Sequence, residues 1–213
     1  MISKNHAVFP WLKEKIEMIA QKDFVLDMGT PQRFAKELRF FESLFKDNYR
    51  ALGYKPGDRG RYTCDYDGDI LNLQFGDNSI DAIICLSVLE HVTDPFRAII
   101  EIYRVLKPNG IFLLSAPFLT SYHGKRVDSD FDPSHECYPD FWRFTHQGLQ
   151  WLLREFRNIE IVPVGGPLDF RLSFFYVHNT SLYRNRLVQR LIGALDRTQL
   201  GKATIMHFAS AVK

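Results

Sequence analysis

Hydrophobic and polar positions along this chain alternate between two periods, and the clearest change of period lies between residues 69 and 117. Residues 79–87 (SIDAIICLS) form a short apolar run rich in isoleucine, the pattern of a strand buried on both faces. Thr93-Asp94-Pro95 then supplies a helix N-cap followed by proline in the first turn. Phe96, Ile99, Ile100, Tyr103 and Leu106 follow at helical spacing and define one apolar face. Lys107 suits the negative end of that helix, Pro108 stops it and Asn109-Gly110 turns the chain into a second buried strand, residues 111–116 (IFLLSA). Two buried strands joined by a helix predict a parallel crossover unit.

The same reading extends in both directions. Upstream, residues 11–20 (WLKEKIEMIA) predict an amphipathic helix, 24–28 (FVLDM) a first strand and 32–48 a crossover helix. Residues 49–54 (YRALGY) and 64–69 (CDYDGD) predict a second and a third strand. Downstream, a helix is expected over 146–155, a strand over 159–164, a mainly helical stretch over 168–197 and a final strand over 204–212. Strands alternating with helices make this an α/β chain. Between the fifth strand and the helix at 146 lies a connection of about 28 residues, 118–145, several times the usual length; its aromatic content argues for an ordered functional loop.

Composition narrows the picture. The chain has 213 residues, 46% of them hydrophobic, which suits a single domain over 1–213. A net charge of +2 with no basic run gives no reason to expect nucleic-acid binding. Cys64, Cys85 and Cys137 are odd in number and form no C-x-x-C pair, so a reducing, cytoplasmic setting is expected. The first ten residues have no apolar core of a signal peptide, and no apolar run approaches bilayer-spanning length. His123, His135 and Cys137 match no zinc spacing, so no metal is expected.

Asp69, Leu73 to Phe75, Asp77 to Asp81, Val88 to Val92, Asp94-Pro95, Arg104 to Gly110 and Pro117 stand in one register over about 50 residues. That succession resembles the second half of class I, Rossmann-like S-adenosylmethionine-dependent methyltransferases, close to the type 11 group. The resemblance implies a doubly wound, seven-stranded, mostly parallel sheet with helices on both faces, and a helical insertion before the last strand. It also implies S-adenosyl-L-methionine as cofactor.

The resemblance assigns residues as well. Asp27-Met28-Gly29 with Thr30 stands where the family carries D-x-G-x-G, although Pro31 and Arg33 occupy the later glycine positions. Gly29 keeps the freedom for a tight turn, whereas Pro31 has no N–H to offer. The ribose-binding carboxylate of relatives aligns with Gly53; a shift of register would nominate Asp65 or Asp67 instead. Asp69 and Ile70 are the expected adenine contacts, with a self-capping turn as the alternative for Asp69. Leu86 and Ser87 end the fourth strand at the ligand edge, and His91 is expected as a wall contact or a packing residue.

The long loop carries P-F-x-x-x-Y-H and D-F-W-R-F-T, which resemble methyltransferases acting on sugars and the cell envelope. His123, Asp140 and Arg143 are therefore the expected acceptor-side residues: His123 as general base, Arg143 to orient a small-molecule or saccharide acceptor. Asp140 and Arg143 can instead pair to pin the loop, and Thr145 can cap the following helix. In the C-terminal helical stretch, Leu187, Val188, Leu191, Ile192 and Leu195 oppose Arg186, Arg190 and Arg197. Such a face usually packs on its own domain or on a second copy in a homodimer; peripheral membrane contact through 182–197 is the other use.

Overall fold

The computed structural model describes residues 8–29, 34, 38–54, 64–122, 139–166, 185, 187, 188, 191 and 204–213. His123, Thr30, Pro31, His135, Cys137 and most of 168–197 lie outside these residues. Helix α1 (Phe9–Ala20) leads into β1 (Val25–Met28). Then come β2 (Tyr49–Gly53), β3 (Tyr66–Asp67) and β4 (Ile80–Leu86). Helix α2 (Pro95–Val105), β5 (Leu106–Pro117), α3 (His146–Leu152), β6 (Arg157–Val164) and β7 (Met206–Val212) follow among the described residues. The strands form one sheet in the order β3-β2-β1-β4-β5-β7-β6. Only β7 runs against its neighbours β5 and β6. This is the doubly wound, mostly parallel sheet expected from the sequence.

The run from 79 to 87 is apolar throughout because β4 is covered on both faces. Ile80, Ile83 and Cys85 pack with α2 and α3 on one side, while Ala82 and Ile84 pack with α1 on the other. Helix α2 starts where its sequence dictates. Asp94 is the N-cap and its carboxylate accepts from Arg97 N at 3.0 Å, with Pro95 in the first turn.

Two local expectations are corrected. Lys107 does not sit on a helix end: α2 stops at Val105, Leu106 already pairs with Ile80, and Lys107 Nζ reaches Asp81 Oδ2 at 2.8 Å. The helix expected over 32–48 is not continuous either. Phe34 has φ +53°, only Arg39–Leu44 forms a 3-10 turn, and Phe45 is extended. The rings of Phe34 and Phe45 both pack on Tyr49, with centroids 4.0 and 5.3 Å away, so aromatic packing overrides helical propensity here.

Leu187 and Leu191 are exposed.

Candidate active site at the carboxyl edge of the sheet

From β1 the chain winds outward to β2 and β3, then returns to pair β4 with the other side of β1. Ligands of open α/β sheets bind at such a reversal, beyond the carboxyl ends of the strands. The residues there follow one register row. Met28 pairs with both Leu52 and Cys85, so Gly29, Gly53 and Leu86 stand side by side as the next positions. Gly53 pairs with Asp67, and Leu86 with Ser115.

Both strands flanking the reversal leave through left-handed turns. Gly29 has φ +75° and the exposed Ser87 has φ +55°. Gly29 is glycine for two reasons: its φ, and a Cβ there would lie 2.3 Å from Val88 Cγ2. Ser87 N donates to Ser115 Oγ at 3.0 Å, which fixes the end of β4 against β5. A non-glycine residue held left-handed at the mouth of a ligand edge is where functional strain accumulates.

Beneath this rim the charge is negative. Asp27 is 3% exposed, and the hydroxyl of the fully buried Tyr49 donates to its carboxylate. Phe34 N donates in turn to Tyr49 Oη at 3.1 Å, so Asp27 and Tyr49 anchor the segment that follows β1. Burial pushes the Cys85 thiol well up, and the carboxylates of Glu90 and Asp27 add to the effect. Cys85 is therefore an inert core thiol lying close to two buried acids.

Each expected contact has a definite place. Asp69 is exposed, and its Oδ1 accepts from Leu71 N at 2.8 Å, so this carboxylate caps its own turn, the alternative weighed for it. Ile70 is buried and packs into the core beside α2. His91 Nδ1 lies 2.6 Å from Pro139 O, which ties it to the end of the long loop. Gly53 is buried and does not have a positive φ, so its lack of a side chain is not a backbone requirement.

The end of that loop is docked firmly. Phe141 N donates to Glu90 O at 2.7 Å, Trp142 Nε1 to Val92 O at 2.8 Å, and Phe144 N to Pro117 O at 2.8 Å. Thr145 is the N-cap of α3, accepting from Gly148 N at 3.0 Å. Arg143 and Asp140 form a bidentate pair in which the Asp140 side chain is fully buried. The other contacts of Arg143 are Nε to Thr120 O at 3.4 Å, Nη1 to Trp142 O at 2.8 Å and Nη2 to Ser121 O at 3.1 Å. A guanidinium has five N–H groups, and all are engaged here. Arg143 and Asp140 thus pair as in the alternative weighed for them, and Arg143 closes the neck of the loop, joining residues 120–121 to 140–143. Asp140 is the buried half of the same clamp.

Sequence reasoning missed a histidine on this edge. His207, 3% exposed on β7, pairs with Ala116 near the end of β5. Burial pulls its pKa down to about 4, the nearby His146 pushes the same way, and a hydrogen bond to the Phe144 main chain opposes both. A lone histidine inside a short apolar strand offers no local signal of this surrounding. Among the described residues no group of three or more His, Cys, Asp or Glu could hold a metal ion.

Comparison with known proteins bears on this edge. Residues 45–114, from the approach to β2 to the middle of β5, match the family model described as "Methyltransferase domain". A Mycolicibacterium smegmatis protein named "Probable S-adenosylmethionine-dependent methyltransferase" is 34% identical over 68 residues, 32% of this chain and 26% of its own length. Over these residues the chain is similar to methyltransferase domains. An uncharacterized protein of Methanocaldococcus jannaschii is 35% identical over 118 residues, 54% of this chain and 51% of the relative. The chain thus spans about half or less of the length of these curated relatives. The solved S-adenosylmethionine-dependent methyltransferase of Mesorhizobium loti shares the fold at 16% identity, with a TM-score of 0.57 over 97% of this chain and 98% of that one.

Proposed function

We propose that this chain transfers a methyl group from S-adenosylmethionine to a hydroxyl of a small-molecule or sugar acceptor of the cell-envelope type. The observation that carries the reading is the rim at the strand reversal, where Gly29 and Ser87 both turn left-handed above the buried Asp27 and Glu90. The donor set suits the cofactor. Ionised carboxylates accept from ribose hydroxyls and from an adenine amino group, and buried negative charge complements a sulfonium. When bound, the cofactor supplies an activated methyl on a good leaving group, so the protein's task is alignment and exclusion of water. Gly29 and Thr30, with Asp27 behind them, would hold the methionine end. Asp69 and Ile70 would meet the adenine, and Leu86, Ser87 and His91 would wall the centre.

On the acceptor side the Arg143–Asp140 clamp fixes the loop neck, and His123 is the base that this reading assigns to the acceptor hydroxyl proton. The acceptor class rests on the P-F-x-x-x-Y-H and D-F-W-R-F-T segments. One sheet takes strands from Val25 to Val212, which supports a single domain over 1–213. A reducing, cytoplasmic compartment is the setting that the odd number and the spacing of the three cysteines favour. Among the described residues no helix is long and apolar enough to cross a membrane. The exposed Leu187 and Leu191 would suit a second copy of the chain in a homodimer.

Gly53 favours a second reading, a methyltransferase fold kept for binding or scaffolding, because the rim lacks the ribose carboxylate of relatives. Incubation with methyl-labelled S-adenosylmethionine and hydroxylated sugar acceptors decides between them. The enzyme reading expects acceptor-dependent S-adenosylhomocysteine, abolished by His123→Ala with cofactor affinity retained. Bound cofactor with no turnover on any hydroxyl acceptor would overturn it.

A further inference from the structure

The turn that follows β4 touches both halves of the proposed site. On one side Val88 packs so closely on Gly29 that a Cβ there would lie 2.3 Å from Val88 Cγ2. Gly29 belongs to the turn after β1, which would hold the methionine end of the cofactor. On the other side, three consecutive residues of the turn carry the end of the long loop. Glu90 O accepts from Phe141 N at 2.7 Å and from Trp142 N at 3.3 Å. His91 Nδ1 lies 2.6 Å from Pro139 O, and Val92 O accepts from Trp142 Nε1 at 2.8 Å.

In these contacts Glu90 and Val92 take part through carbonyls that any residue supplies, whereas His91 takes part through its ring. A carbonyl oxygen only accepts, so Nδ1 carries a proton and Nε2 faces the Glu90 carboxylate, 3.8 Å away. His91 N donates to Val88 O at 2.8 Å, which ties the ring to the residue that presses on Gly29. One short turn thus joins the cofactor side to the acceptor side.

We infer that His91 is a positioning residue: its hydrogen bond to Pro139 O couples cofactor binding at the rim to the docking of residues 139–142. The inference rests on the proposed use of S-adenosylmethionine, and it gives His91 a role toward the acceptor loop rather than in methyl transfer itself. A ligand seated against Gly29 and Ser87 restricts the turn at Val88, and a restricted turn presents its three contacts to the loop in one place. By linkage, a docked loop favours the cofactor to the same degree. The acceptor is then bound best by protein that already holds the cofactor.

Amide hydrogen exchange, read residue by residue by NMR with and without saturating S-adenosylhomocysteine, tests this in the unsubstituted protein, His91→Leu and His91→Asn. The asparagine side chain keeps an N–H donor close to where Nδ1 stands, and leucine removes it. In the unsubstituted protein the ligand should slow exchange at Phe141 and Trp142 by at least about fivefold, the lower end of ordinary coupling between sites. His91→Leu should lose that response while the amides of β4 keep their protection, and His91→Asn should restore it. An equal response in all three proteins overturns the inference. So does a loss of protection in His91→Leu that extends to β4, since the role is then structural, and so does a response that His91→Asn fails to restore. Calorimetric binding of S-adenosylhomocysteine without any slowing at Phe141 and Trp142 overturns this inference alone. If the unsubstituted protein shows no binding at millimolar ligand, the proposed function fails and takes the inference with it.

Discussion

Replacing Arg143 with alanine removes all five N–H donors from the neck of the long loop and takes the guanidinium away from the fully buried Asp140 carboxylate. Breaking a buried pair by deleting one partner costs about 3–5 kcal/mol, mostly the penalty of the stranded charge. Arg143 itself is 26% exposed, so water relieves part of that penalty and about 3 kcal/mol is expected. Arg143→Lys keeps the charge, but its three donors reach at most three of the five acceptors; a cost of about 1–3 kcal/mol follows. Removing both partners in Arg143→Ala/Asp140→Ala takes away the stranded charge. The double variant should therefore be no less stable than Arg143→Ala alone, with a coupling of about 1–3 kcal/mol. Urea unfolding followed by tryptophan fluorescence is suited to the question, because Trp142 adjoins the clamp. A cost below about 0.5 kcal/mol for Arg143→Ala, or strict additivity in the double variant, would refute the saturated clamp.

Three further outcomes are expected. Gly29→Ala should destabilise by roughly 2 kcal/mol or more, since φ +75° and the Val88 contact both oppose a Cβ; an unchanged melting temperature would contradict the turn. His207, with its folded-state pKa lowered from 6.5 to about 4, contributes stability that is present above pH 6.5 and lost as pH falls toward 4. The slope is up to about 1.4 kcal/mol per pH unit, and His207→Phe should flatten this acid limb in melts from pH 7 to 4, whereas an identical limb would count against the burial. Asp69→Asn keeps an acceptor for Leu71 N and should preserve stability while weakening cofactor binding by about 1–3 kcal/mol; unchanged affinity would remove Asp69 from the site.

The legible parts of the sequence are those whose chemistry is local or repeated in register. Asp94 announces α2 by capping it, and the apolar run of β4 needs only two covered faces. The segment matched to the family is dense in structural staples. Arg104 spends its five donors on Glu101, Leu73 O, Phe75 O and Asp77, and Lys107 holds Asp81. The motif residues Leu73, Phe75, Asp77, Arg104 and Lys107 thus preserve the fold, which explains why fold was readable where activity was not. The i,i+3 pairing of Asp140 and Arg143 was foreseeable, but the carbonyls of Thr120 and Ser121 that saturate Arg143 lie across the loop and leave no trace in spacing. The Tyr49 hydroxyl on Asp27 and the Phe34 packing that interrupts the expected helix are likewise contacts between distant residues.

The carboxyl edge beyond β1 and β4 is the proposed binding site of S-adenosylmethionine. Isothermal titration of the whole chain with S-adenosylmethionine and S-adenosylhomocysteine tests it most directly, paired with thermal melts at the same concentrations. One site per chain is expected for each ligand, with a melting temperature that rises with ligand by an amount equivalent to about 2.7 kcal/mol at a hundred times Kd. No heat of binding and no shift in melting temperature at millimolar ligand would contradict it.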